Sequence, residues 1–194
     1  MYDTKAALIV VDVQNDFADP RGSLSVAGGA EIVPVINAEI EKAEADGALV
    51  VYSQDWHPAT TRHFKKDGGI WPVHCIAETW GAAFFPALQV VPAAEVIRKG
   101  GGGEDGYSAF SVRDPESGAT SATRLQAVLA ARSIDRLTLT GLATDYCVKE
   151  TALDGLRLGF VVEVLTTAVR AVDLQPGDGL RALAAIEAAG GRLI

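Results

Sequence analysis

The sequence predicts an α/β fold: a mostly parallel open sheet of about six strands with helices on both faces, built as one domain over residues 1–194. Three observations carry this expectation. Short apolar runs rich in β-branched residues alternate with segments of helical period, as in a sheet covered on both faces. The chain has 194 residues, which suits one core better than a string of modules. Its residues are 48% hydrophobic and 22% charged, enough apolar surface to offset the ordering entropy of a compact fold.

The strands expected in order are Ala6–Val11, Ala48–Tyr52, Glu95–Arg98, Arg136–Thr140 and Phe160–Leu165, with Arg192–Ile194 closing an edge. Helices fill the gaps. The first covers Glu31–Asp46, with Ile32, Ile36, Ile40 and Ala43 on one face and Gly47 placed to end it. A second runs over Ser121–Arg132 on the stripe Leu125, Val128 and Leu129. A third follows Cys147 and stops near Gly159, and the last starts at Pro176 and uses Leu180, Leu183 and Ala184 before Gly190. Between Ser53 and Pro92 the periodicity lapses, which marks a long structured excursion of the kind that carries function.

Composition excludes several classes of function. A formal net charge of −8 repels nucleic-acid phosphates and anionic lipid heads, so neither partner is expected. The apolar start is stopped by Asp12, far short of a membrane span or a signal peptide, and the expected location is the cytoplasm. The two cysteines, Cys75 and Cys147, are too few and too far apart for a disulfide scaffold. Homo-oligomer formation is left open.

In open parallel sheets, ligands bind outside the carboxyl ends of the strands, so polar residues there take precedence. Asp12 directly follows the first strand, where partial desolvation would raise its pKa and suit it to proton transfer; a capping or turn aspartate is the alternative. Lys99 ends the third strand and would project toward the same crevice, unless it is merely solvated. Cys147 lies where the fourth strand gives way to a helix, in Gly141-Leu142-Ala143-Thr144-Asp145-Tyr146-Cys147-Val148. A helix N-terminus would lower the pKa of its thiol, and backbone amides of the turn could face an oxyanion; an inert buried thiol is the alternative.

All three histidines, His57, His63 and His74, fall inside the excursion. With Asp55 they make a carboxylate and imidazole set that suits Zn²⁺, Mn²⁺ or Fe²⁺, and their spacing matches no zinc finger. Surface histidines are the alternative.

Together these motifs resemble the cysteine-hydrolase family that includes nicotinamidases, isochorismatase-like proteins and N-carbamoylsarcosine amidases. The resemblance runs nearly end to end. It rests on Asp12-Val13-Gln14-Asn15-Asp16-Phe17, Gly22-Ser23-Leu24 with Gly28-Gly29, Asp55-Trp56-His57-Pro58, Trp71-Pro72-Val73-His74-Cys75 and the segment ending in Cys147-Val148. It is closest to the nicotinamidases.

The resemblance implies that Asp12, Lys99 and Cys147 form a catalytic triad and that Asp55, His57, His63 and His74 hold one divalent metal ion. It further implies a cis peptide between Leu142 and Ala143, with the amides of Ala143 and Cys147 as oxyanion hole. Phe17, Trp71 and Tyr107 match the aromatic pocket for the pyridine ring. The implied activity is hydrolysis of nicotinamide to nicotinate and ammonia through a Cys147 thioester, in NAD salvage, with acceptance of pyrazinamide left open. A related amidohydrolase acting on an N-carbamoyl compound or maleamate is the alternative, and a metal-binding module without turnover or a metal-hydroxide hydrolase are further ones. Gly100–Gly103 with Glu104 and Asp105 departs from the family pattern and leaves open how that side of the pocket closes.

Overall fold

The structure, a computed structural model, describes residues 2–194. Its main sheet has the strands β1 (Ala6–Val11), β2 (Leu49–Asp55), β3 (Glu95–Lys99), β6 (Arg136–Leu142), β7 (Val161–Arg170) and β8 (Arg192–Leu193), in spatial order β3-β2-β1-β6-β7-β8. Every pair in it is parallel. The remaining strands, β4 (Ser111–Arg113) and β5 (Thr120–Ala122), pair antiparallel as a separate hairpin.

All residues of β1 are buried, as a central strand covered on both faces requires. Alternation divides them between two cores. Ala7, Ile9 and Val11 face Leu125 and Leu129 of α3 (Leu125–Ala131), Ala152 of α4 (Lys149–Arg157) and Ile186 of α5 (Asp178–Ala188). Leu8 and Val10 face Ile36, Ile40 and Ala43 of α2 (Val33–Ala45). This second layer is completed by Phe17 and Ala18 of the short α1 (Asn15–Ala18) and by Cys75, Ala82 and Leu88 of the excursion, so the irregular segment is itself part of the core.

Several boundaries differ from the sequence expectation. β2 continues through Ser53 and Gln54 to Asp55, so the excursion begins at Trp56. β7 starts at Val161 because Phe160 still closes α4, its N–H donating to Gly155 O. It then runs past Leu165 to Arg170, through a register shift opposite Gly141. α3 begins at Leu125 rather than Ser121, since 120–122 are taken by the hairpin and Thr123 Oγ1 accepts the Leu125 N–H. α5 buries Gly179, Ala182 and Ile186, leaving Leu180 75% exposed, so its inward stripe is rotated from the one expected. The hairpin escaped the sequence reading because its strands are short, β4 partly and β5 wholly exposed, without alternation.

Candidate active site

The carboxyl ends of four adjacent strands deliver the site. The strand order reverses beside β1, the place where such sheets open a crevice. Asp12 follows β1, Asp55 and Lys99 are register partners at the ends of β2 and β3, and β6 leads through Leu142 into the turn carrying Cys147. Gly141 permits this convergence: at φ 105° it lies so close to β1 that a Cβ would stand 2.0 Å from Val11 O. Asp12 has φ 47°, a left-handed conformation in which its carbonyl accepts the Gln14 N–H at 2.8 Å and its side chain turns into the crevice.

Lys99 is the hub. Its Nζ donates to Asp12 Oδ2 at 2.6 Å, to Tyr107 O at 3.0 Å and to Cys147 Sγ at 3.3 Å. Asp55 Oδ1 is 2.9 Å from the same ammonium, outside hydrogen-bonding geometry. Ser53 Oγ donates to Asp12 Oδ1 at 2.7 Å, so both oxygens of that carboxylate are held.

These groups are fully buried, and their protonation follows from that. Burial raises the Asp12 carboxyl above its ordinary range, with Lys99 opposing and Asp55 adding. For Asp55 burial acts upward too, but Lys99, His57 and His74 outweigh it and hold the carboxyl well below the usual range. Burial would lower Lys99; Asp12, Asp55 and Cys147 overcome it and hold the ammonium well above its usual range. Burial pushes the Cys147 thiol well up, against the pull of Lys99 and with Asp12 and Asp55 adding to the rise. This corrects the expectation of a thiol acidified at a helix N-terminus. Cys147 sits within Thr144–Val148, a wide turn in which Val148 N–H reaches back to Ala143 O before α4 begins.

The three histidines are brought together by stitches inside the excursion. His57 pairs with Ile76 as a parallel bridge, and Phe64 does the same with Trp71. The rings of His57 and His63 stack with centroids 4.5 Å apart, and His74 lies 5.3 and 5.1 Å from them. One ring nitrogen from each falls within 4.8 Å of the others. Asp55 Oδ2 is 3.6 Å from His57 Nε2 and 3.7 Å from His74 Nε2.

These residues fit a divalent metal. The Nδ1 of His74 is held by Pro72 O at 2.7 Å and that of His63 by Asp105 Oδ1 at 2.5 Å, which directs both Nε2 lone pairs inward. Nε2 of His57 and of His63 is buried without a hydrogen-bond partner among the described residues. Each such group costs about 1–3 kcal/mol when unmatched, which a shared ion would offset. Gly100 makes room for this cluster: a Cβ there would stand 2.6 Å from His57 Nδ1, and its φ is 83°.

A single cavity joins the two clusters. Its lining includes Cys147, Ala143, Asp55, His63, His74 and the expected aromatics Phe17, Trp71 and Tyr107. Trp71 Nε1 donates to Tyr107 Oη at 2.9 Å. The peptide between Leu142 and Ala143 is cis. Sequence reasoning missed Leu24, Tyr146 and Val172 in the lining, together with Ser53 behind Asp12 and Asp105 behind His63. Leu24 and Tyr146 stand inside motifs already singled out, Ser53 interrupts an apolar strand end, and Asp105 lies in the segment noted as departing from the family pattern, where nothing local points to His63. Cys75 is buried away from the cavity, its N–H donating to Asp16.

Comparison with known proteins agrees with this arrangement. The isochorismatase domain matches residues 6–194. A nicotinamidase of Escherichia coli (strain K12) is 39% identical over 203 residues, covering 96% of this chain and 93% of that protein. The structure of the pyrazinamidase of Pyrococcus horikoshii in complex with zinc superposes with a TM-score of 0.87 at 38% identity, covering 98% of each chain. That of PnC1 from L. infantum in complex with nicotinate gives 0.87 at 34% identity, covering 98% of this chain and 92% of that one. With the fold, the strand-end cluster and these similarities in agreement, the chain belongs to the isochorismatase-like hydrolase family.

Proposed function

We propose that this protein hydrolyses nicotinamide to nicotinate and ammonia as a cysteine-dependent amidohydrolase, with Cys147 as nucleophile, Asp12 as acid and base, and Lys99 as their charge partner. The observation that carries the reading is the Lys99 ammonium touching Asp12 and Cys147, with Cys147 lining an aromatic cavity that His63 and His74 also line.

The free site holds Cys147 as a thiol, because a buried thiolate beside two carboxylates is disfavoured. Asp12, raised toward neutrality by burial, is a stronger base than an exposed carboxylate and takes the thiol proton as the sulfur attacks. The new C–S bond pushes the carbonyl pair onto oxygen, toward the amides of Ala143 and Cys147. As the pair returns, the C–N bond breaks and Asp12 passes its proton to the departing ammonia. Water then gives a proton to Asp12 and attacks the thioester, and the C–S bond breaks to release nicotinate, with Cys147 reprotonated by Asp12. Throughout, Lys99 balances the negative charge that moves between sulfur and carboxylate, while Phe17, Trp71 and Tyr107 enclose the ring.

Asp55, His57, His63 and His74 would hold one divalent ion, Zn²⁺, Mn²⁺ or Fe²⁺, which when bound supplies a Lewis acid for the pyridine nitrogen, directly or through water. NAD salvage in the cytoplasm is the setting we propose, and pyrazinamide, a ring amide of nearly the same shape, is a second substrate. Among the described residues no helix is long and apolar enough to cross a membrane.

Ammonia release across nicotinamide, pyrazinamide, N-carbamoylsarcosine and maleamate tests the reading. Nicotinamide is expected to have the highest kcat/KM; preference for either acyclic amide would overturn the substrate assignment.

A further inference from the structure

We infer that Asp105 is a positioning residue of the metal centre: it fixes the ring of His63 from outside, so that the glycine-rich strap 100–106 and the β4–β5 hairpin are structurally part of the ligand set. The inference rests on the reading of the histidine cluster as a metal site.

The two ligands His63 and His74 are oriented in different ways. His74 is held by its own loop, through the carbonyl of Pro72 two residues away. His63 is held by a carboxylate 42 positions further along the chain, at 2.5 Å. A carboxylate accepting the Nδ1 proton leaves the lone pair on Nε2, the unpartnered atom that faces the other two rings. Asp105 is itself braced. Its backbone exchanges two hydrogen bonds with Arg113 at the start of the hairpin turn, at 2.6 and 2.5 Å, and its Oδ2 lies 3.5 Å from the Arg113 guanidinium. A second tie runs parallel to the first, from Thr61 Oγ1 to Gly103 O at 3.2 Å, and the same hydroxyl accepts the His63 N–H. The segment 61–63 is thus laced to 103–105 at two points, and the hairpin that carries Arg113 acquires a task.

Competition of the purified apoprotein against a chromophoric chelator for Zn²⁺, together with the visible absorption of the Co²⁺ form, tests this. Asp105→Ala is expected to weaken Zn²⁺ binding about 10–100-fold and to alter the Co²⁺ spectrum. Asp105→Asn keeps an acceptor oxygen and is expected to lose less. In a His63→Ala background, Asp105→Ala is expected to cause no further loss, because its only route to the metal is gone. Unchanged affinity in Asp105→Ala, equal losses in the alanine and asparagine variants, or a full additional loss in the His63→Ala background would overturn the inference. If Asp105→Ala does not fold, Asp105→Asn decides: affinity and Co²⁺ spectrum identical to the parent would overturn it. A parent protein that binds neither ion would overturn the metal reading itself, and the inference with it.

Discussion

Lys99 Nζ and Asp55 Oδ1 stand 2.9 Å apart, so the ammonium that pairs with Asp12, 2.6 Å away, also neutralises a carboxylate of the histidine cluster. One buried cation therefore ties two chemical assemblies together. Lys99 pulls both carboxylates down, but only Asp55 also has two imidazoles beside it and is held well down, whereas Asp12 is left raised by burial.

Removing that cation should damage both assemblies. Lys99→Ala leaves Asp12 and Asp55 buried without their partner, and breaking a buried pair from one side costs about 3–5 kcal/mol. Denaturant unfolding should show a loss of that order, with kcat reduced more than KM. A variant as stable as the parent would mean that the charges are compensated elsewhere.

Cys147→Ala should lower kcat by roughly 10⁴ to 10⁶-fold while nicotinamide still binds, since only the nucleophile is lost. Mass spectrometry of a reaction quenched early should find the acyl group on Cys147. An adduct on Cys75, which is wholly buried and whose thiol burial and neighbouring carboxylates push well up, would contradict the mechanism.

Alkylation of the free enzyme should report the protonation of Cys147. A raised thiol pKa means the unreactive neutral form persists to higher pH, so the iodoacetamide rate should keep climbing above the usual thiol range instead of levelling off near neutrality. A plateau at or below pH 7 would show a preformed thiolate, and with it a different role for Asp12.

Gly100→Ala should dislodge His57. The added Cβ meets the ring at 2.6 Å, and the positive φ adds strain of about 1–3 kcal/mol. Metal content by elemental analysis should fall below that of the parent, which is expected to carry about one ion per chain. Full occupancy in the variant would show that His57 has another seat.

If the ion orients substrate and does not make the nucleophile, as proposed, chelation should abolish hydrolysis of nicotinamide while Cys147 still reacts with a small alkylator. Benzamide, which lacks the ring nitrogen, should be a much poorer substrate of the metal-loaded enzyme. Equal turnover of the two amides would sink the orienting role.

Much of this protein was legible in its residues. β1 was readable to the residue, because a central strand buried on both faces must be a continuous apolar run, and Asp12, Lys99 and Cys147 stand out as candidates because strand ends in such sheets are where polar groups matter. Asp55, His57, His63 and His74 were singled out as a chemical set, since a carboxylate and three imidazoles confined to one aperiodic segment have few uses. Distances that depend on the whole chain were not legible. Local sequence carries no record that Asp55 and Lys99 are register partners, that Ser53 points at Asp12, or that Asp105 reaches His63 across 42 residues. Nor could it give the protonation of Cys147: a helix N-terminus argues for a thiolate from nearest neighbours alone, whereas the fold buries the sulfur among Asp12, Asp55 and Lys99. Residue type and spacing determined which groups could act. The tertiary structure decided their charge states and orientations, because desolvation and Coulomb terms depend on what is packed within a few ångströms and not on what is adjacent in sequence.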